Sequence, residues 1–167
     1  KLAQAVAEVL DAGGLLLAEA GTGTGKTLAY LLPAVELGRR VVVSTGTKNL
    51  QEQLVQKDIP ILARALGRDL NVAVMKGRAN YLCLLRFSSF AKAGSFRRLE
   101  EIPVYRAVEV WAPETGTGDR AEVADMPDSV DFWREVSAAS ENCIGQSCSL
   151  FESCFVTRMR QRALEAD

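Results

Sequence analysis

Ala20-Gly21-Thr22-Gly23-Thr24-Gly25-Lys26-Thr27 is the run best suited to chemistry in this chain of 167 residues. Its spacing is that of a phosphate-binding Walker A loop, with Ala20 where the pattern has its first glycine. Glycines at alternate positions let the backbone curl so that successive N–H groups face one cavity. A helix starting directly afterwards adds its positive end to that cavity. In such a loop Lys26 reaches the β- and γ-phosphates of a nucleoside triphosphate such as ATP. The Thr27 hydroxyl holds the Mg²⁺ that bridges them. The plainer alternative is a glycine-rich turn with an exposed lysine. The apolar stretch before the run and the helical pattern after it weigh against that.

Cys83, Cys143, Cys148 and Cys154 form a second constellation, three close in sequence and one distant. Four thiolates suit a structural zinc or an iron–sulfur cluster. Zinc sites commonly use a Cys-x-x-Cys knuckle, which is absent here, and the wider gaps favour the larger 4Fe–4S cubane. Zinc, and free or disulfide-bonded cysteines, remain the alternatives. Gly145 allows a close backbone approach at such a site. The chain contains no histidine, which removes Ser-His-Asp triads, Cys-His pairs and histidine-bearing zinc sites.

Two polar segments are candidates for touching nucleic acid. Ser44, Thr45, Thr47, Asn49 and Gln53 offer hydroxyls and amides near a helix start, suited to the phosphates of a single strand. Helix capping by the Ser and Thr residues is the equal and plainer reading. Arg78, Asn80 and Tyr81, with Lys76, form a basic and aromatic group beside Cys83. Arg97-Arg98 and Arg158, Arg160 and Arg162 read as solvated helix faces.

The elements that must carry these groups follow from periodicity. Leu2, Val6, Val9 and Leu10 have helical spacing that stops at Gly13-Gly14. Buried strands are expected at 15–18, 41–44 and 71–75. Helices are expected at 27–37, with Pro33 kinking or shortening it, and at 48–57, with Pro60 separating it from a further piece that ends at Gly67. Strands apolar on both faces, alternating with helices, indicate a parallel sheet covered by helices. After Cys83 strand signals cease. Helical stretches are expected at 84–99, 103–111, 132–136 and 155–166, and 112–128 reads as a loop.

Composition is that of a globular domain, with 48% hydrophobic and 25% charged residues and a net charge of −1. The whole chain therefore lacks the electrostatic footprint of a nucleic-acid binder. Residues 1–80 carry ten basic and seven acidic side chains; the remainder carries ten and fourteen. No apolar run is long enough to span a membrane and no signal peptide is visible, so a cytoplasmic setting is expected. Natural sequence upstream of Lys1 is also expected. ATP hydrolysis needs an acidic strand end for Mg²⁺. The candidate third strand runs into Met75-Lys76-Gly77 instead, so the catalytic carboxylates are expected elsewhere.

The order of these motifs, from Glu19–Thr27 through Ser44-Thr45-Gly46-Thr47 to Lys76-Gly77-Arg78-Ala79-Asn80-Tyr81-Leu82-Cys83, resembles the superfamily 2 iron–sulfur DNA helicases of the DinG/XPD kind. Thr115-Gly116-Thr117-Gly118-Asp119-Arg120 resembles their bacterial YoaA-like branch. The resemblance covers essentially the whole chain. It implies an α/β fold: a RecA-like P-loop NTPase parallel sheet with flanking helices, interrupted by a mainly helical iron–sulfur cluster domain. Residues 1–80 would begin the first motor domain, 81–158 would be the cluster insertion and 159–167 a helix returning to the motor. The implied activity is ATP-dependent, Mg²⁺-requiring DNA unwinding with 5′-to-3′ polarity, in a DNA-repair setting at the nucleoid. Single-stranded DNA and DNA junctions would be the partners, and the protein a monomer. Residues 20–27 would be motif I and 44–53 motif Ia. The DEAH box and second motor domain would lie beyond residue 167, leaving this stretch alone inactive. The rival reading is a zinc-bearing, non-catalytic nucleic-acid-binding module.

Overall fold

The computed structural model describes residues 1–21 and 23–166. They form two units: Lys1–Val74, joined by the chain end from Glu165, and Met75–Leu164. None of their helices is long and apolar enough to cross a membrane.

In the first unit, α1 (Leu2–Ala12) stops at Gly13, whose φ of 77° only glycine adopts cheaply. Helix α2 (Lys26–Glu36) runs through Pro33, where a kink or a shorter helix was expected. A Schellman-type close ends it: Gly38, at positive φ, donates to Val35 O and Arg39 donates to Ala34 O. From Lys48 the chain stays helical to Leu66, without the expected break at Pro60: α3 (Lys48–Gln53), one π turn (Leu54–Asp58), then α4 (Ile59–Leu66). The π turn shifts the register so that Pro60 falls in the first turn of α4, where a missing N–H breaks nothing. Leu31 of α2 packs with Leu54 and Leu62 of this helical run, and Leu28, Val35, Ile59 and Leu66 surround them.

The three expected strands are not assigned as strands. Among the described residues the only bridges are two isolated antiparallel ones, both in the second unit. A strand needs a neighbour's ladder of N–H and C=O groups, and these segments meet none here. Their apolar side chains stand in solvent: Leu15 is 93% exposed, Leu17 97% and Val42 96%.

The second unit starts at Met75, ahead of the boundary expected at residue 80. Tyr81 belongs to its core, and the backbone N–H of Lys76 donates to the Tyr81 hydroxyl at 3.0 Å. Four helices surround that core: α5 (Leu84–Ala93), α6 (Glu101–Trp111), α7 (Asp131–Val136) and α8 (Phe155–Glu165). Helix α8 packs through Phe155, Val156 and Met159 and stays in this unit to Leu164, and the chain groups with the first unit again from Glu165. Phe90, Phe96, Tyr105 and Phe132 meet with ring centroids 5.2 to 6.2 Å apart. Each such pair contributes about 0.5–1.5 kcal/mol beyond area burial.

The tripeptide Tyr81-Leu82-Cys83 is bonded along both edges. Leu82 N–H donates to Gly118 O at 2.9 Å, Cys83 N–H to Val136 O at 2.8 Å, and Ala138 N–H to Tyr81 O at 2.8 Å. The stretch expected as a loop, 112–128, is thereby an ordered knot. Glu122 accepts hydrogen bonds from Trp111 Nε1, Thr115 Oγ1 and Thr117 Oγ1. Asp119 receives the Lys76 ammonium at 2.6 Å, with side chains 15% and 8% exposed, and also caps Ala121 N–H. The Arg120 guanidinium lies 5.3 Å from the centre of the Trp133 ring, and Trp133 Nε1 donates to Ala79 O.

Gly118 is the tightest point of the knot. Its φ is 69°, and a Cβ there would lie 2.2 Å from the Phe155 ring. Gly118→Ala should combine left-handed strain with overpacking, a loss of about 2–5 kcal/mol, read as a lower melting temperature. Wild-type stability in that variant would contradict the packing. Burial pushes the Glu122 carboxyl up, but bonds from Thr115, Thr117 and Trp111 and the charge of Lys76 pull it below its ordinary value. Its stabilisation is therefore present above the unfolded carboxylate range and lost as pH falls through the folded value. Glu122→Gln should lower the melting temperature at neutral pH, with the gap to wild type closing in acid.

Candidate functional site

The phosphate loop sits between the exposed stretch ending at Ala20 and the first turn of α2. Gly23 and Gly25 take φ of 75° and 77°, the curl that the sequence pattern requires. Thr24 Oγ1 donates to Gly21 O at 2.8 Å and tightens the turn. Gly25 is the N-cap of α2; no side chain caps it and no acid lies in the first turn. The orphan N–H groups of that turn stay directed at the loop. Lys26 folds over the loop and donates to Ala20 O at 2.7 Å and to Gly21 O. Thr27, the expected Mg²⁺ ligand, is half-buried in the same turn. Thr22, also expected to bind the cofactor, lies outside the described residues. Lys26 thus lies within one turn of uncapped amides. A phosphate there would give both a charged partner, since charge-assisted bonds outweigh the neutral carbonyl bonds Lys26 makes now.

Of the proposed strand-contact residues in this unit, Thr47 is the N-cap of α3 and its hydroxyl accepts from Leu50 N–H at 3.3 Å. Thr45 Oγ1 donates to Thr47 O. Those hydroxyls serve the backbone, as the capping reading has it. Ser44, Asn49 and Gln53 are exposed.

In the second unit Tyr81 is buried, and burial raises its phenol despite the bond from Lys76. Asn80 is half-buried and closes its own turn by donating to Gly77 O at 2.9 Å. Arg78 is half-buried, with its Nε enclosed and unpartnered. Lys76 is engaged by Asp119.

All four cysteines are free thiols of this unit. Cys83 is the N-cap of α5, and Cys154 immediately precedes α8, whose Arg158 N–H donates to Cys154 O. Cys143 and Cys148 close single 3₁₀ turns, Ser140–Asn142 and Gly145–Ser147. A backbone bond from Gly145 and a side-chain bond from Arg78 hold the Cys143 thiol below its ordinary value; burial opposes them, and the charges of Arg78 and Arg160 assist. The donors fit a metal–sulfur group in kind: four thiols, one favoured as thiolate, two beside helix N-termini that suit an anionic centre. They are not gathered, however. Among the described residues no three Cys, Asp or Glu side chains form a set able to hold a metal ion. Thiols bond one another only weakly, so nothing among the side chains themselves draws the four together.

Sequence reasoning quoted Asp119 only as part of a motif and overlooked Glu122; the two order the knot beside Cys83. An Asp followed three residues later by Glu is a capping signature that points to Asp119 as the cap of Ala121 N–H, whereas Glu122 bonds Trp111, Thr115 and Thr117 instead, which no local signature reveals.

Residues 2–82 match the DEAD/DEAH box helicase family. Over its full length the chain is 38% identical to the ATP-dependent DNA helicase YoaA of Escherichia coli and 37% identical to that of Haemophilus influenzae. It is 38% identical, over an alignment of 190 residues, to the ATP-dependent helicase DinG of Mycobacterium tuberculosis. In each case all of this chain aligns, and it spans about a quarter of the relative, 26% to 28%.

Lys26→Ala should remove the charged partner of a bound polyphosphate. A loss of about 10-fold or more in ATP affinity is expected, measured by titration with a fluorescent nucleotide. Unchanged affinity would refute a phosphate site here.

Proposed function

We propose that this chain, whose residues 2–82 match the DEAD/DEAH box helicase family and which is similar along its length to the helicases YoaA and DinG, is part of an ATP-dependent 5′-to-3′ DNA helicase. The observation that carries the proposal is the phosphate loop. Lys26 lies over a curled glycine turn at the uncapped N-terminus of α2. Residues 20–27 bind the phosphates of ATP, and Thr27 holds Mg²⁺. In the whole protein, residues 15–18, 41–44 and 71–75 become strands of a RecA-like parallel sheet. Their exposed leucines and valines supply the apolar faces that such a sheet buries. Ser44, Asn49 and Gln53 contact a single strand of DNA, with Thr45 and Thr47 shaping the turn that presents them. Arg78 and Asn80 add contacts in the second unit, and Tyr81 supports them from the core. Single strands and junctions are the substrates, met by a monomer in the cytoplasm at the nucleoid.

Cys83, Cys143, Cys148 and Cys154 hold a 4Fe–4S cluster. The free thiols, the lowered Cys143 and the two helix N-termini support that reading. The cluster would cross-link distant parts of the second unit, and its role is read as mechanical: closing the long excursion from Cys83 to Cys143 orders a region that has few strands.

In the anaerobically purified intact protein, about four iron and four sulfide per chain are expected, with a brown colour. Cys143→Ser should lose both iron and duplex unwinding. Unwinding that survives complete iron loss would refute the mechanical role, and one zinc with no colour would favour a zinc-bearing binding module instead.

A further inference from the structure

The π turn between α3 and α4 has a specific consequence for one proposed DNA-contact residue. Residues five apart on an α-helix lie about 140° apart around its axis and cannot meet. A π turn closes its bond from i to i+5 and brings such residues towards one face. Gln53 and Asp58 are five apart, and the π turn Leu54–Asp58 spans the interval between them. Gln53 Nε2 donates to Asp58 Oδ2 at 3.3 Å. Gln53 is exposed, whereas Asp58 is only 8% exposed.

Two features make this pairing more than a helix-surface contact. A carboxylate this enclosed is costly to desolvate unless it is hydrogen-bonded. An ionised carboxylate also only accepts, so the Gln53 amide must turn its NH₂ towards Asp58 and its carbonyl oxygen outward. The side-chain amide, otherwise free to flip, is held in one orientation.

We infer that Asp58 is a positioning residue for DNA binding: through the π turn it fixes the Gln53 side-chain amide in the orientation that contacts a single strand. This inference rests on the reading of residues 44–53 as a strand-contact segment. It makes a prediction of unusual sign. Removing a carboxylate near bound DNA ordinarily tightens binding, because phosphate repulsion is relieved. If Asp58 orients Gln53, its neutralisation weakens binding instead.

The test measures binding of a fluorescent oligothymidylate to the intact protein at several salt concentrations. Asp58→Asn and Gln53→Ala should each weaken binding about three- to tenfold, and the double variant no more than either alone. The salt slope should stay that of wild type, since no phosphate contact by a cation is lost. ATP affinity without DNA, read in parallel, should be unchanged and reports an intact fold. Asp58→Asn binding that is equal to or tighter than wild type, or additive losses in the double variant, would overturn the positioning role. Ser44→Ala and Asn49→Ala separate the two levels. If they weaken binding while Asp58→Asn does not, only the positioning inference fails. If neither they nor Gln53→Ala has any effect, the strand-contact reading fails with it.

Discussion

The second unit depends on a tripeptide held from both sides. Tyr81-Leu82-Cys83 donates hydrogen bonds to Gly118 O on one edge and to Val136 O on the other, where it also accepts one from Ala138 N–H, all well downstream in sequence. Leu82 is wholly buried between them. Among the described residues, no other backbone–backbone hydrogen bonds join the early and late parts of this helix-rich unit in this way. The arrangement requires the 118 position to approach closely, which fixes glycine there, and requires the preceding and following residues to be anchored. Asp119 on Lys76, and Thr115 and Thr117 on Glu122, provide that anchorage. The Lys76–Asp119 pair is nearly enclosed. Loss of one partner would strand the other's charge at a cost of several kcal/mol, more than the pair itself contributes.

Legibility in the sequence followed how local the governing physics is. The phosphate loop was readable because glycine spacing, a lysine and a helix start act within eight residues. The glycine stops at 13, 38 and 67 were readable for the same reason, since each needs only its own positive φ. Pro60 misled because a helical pattern does not reveal a π turn. The extra residue per turn depends on packing Leu54 and Leu62 against Leu31. The segment 112–128 is a loop, as its composition indicates, but its order is not legible because it comes from partners elsewhere: Phe155, Lys76 and the tripeptide at 81–83. Strand pairing is non-local by nature, and the alternation of apolar runs says nothing of which neighbours complete a ladder. Among the cysteines, spacing along the chain says nothing of their mutual distances, and the four are not gathered.

The two units differ in what their surfaces leave unsatisfied. The first presents apolar side chains on extended segments around a small leucine core. The second encloses its aromatic residues and commits most of its central polar groups internally. Cys143 is the exception, exposed on short 3₁₀ turns with a thiol favoured towards its anion. The phosphate loop likewise occupies its lysine with its own carbonyls. Both places keep charged or ionisable groups on bonds weaker than those a suitable ligand would offer.

The π turn also sets the phase of everything that follows it. A helix with one residue more than its α register can be repaired by deletion. Removing one residue from within 54–58 would restore an uninterrupted α-helix and leave the stretch after it facing the same way, because the wider turn is what absorbs the extra residue. Leu62 would keep its place in the core, and a residue four after Gln53 would stand where Asp58 now stands. Backbone hydrogen bonding would become regular while the packing was kept. An alignment with homologous chains that places a one-residue gap in this stretch therefore still pairs residues that face the same direction, and an ungapped one does not.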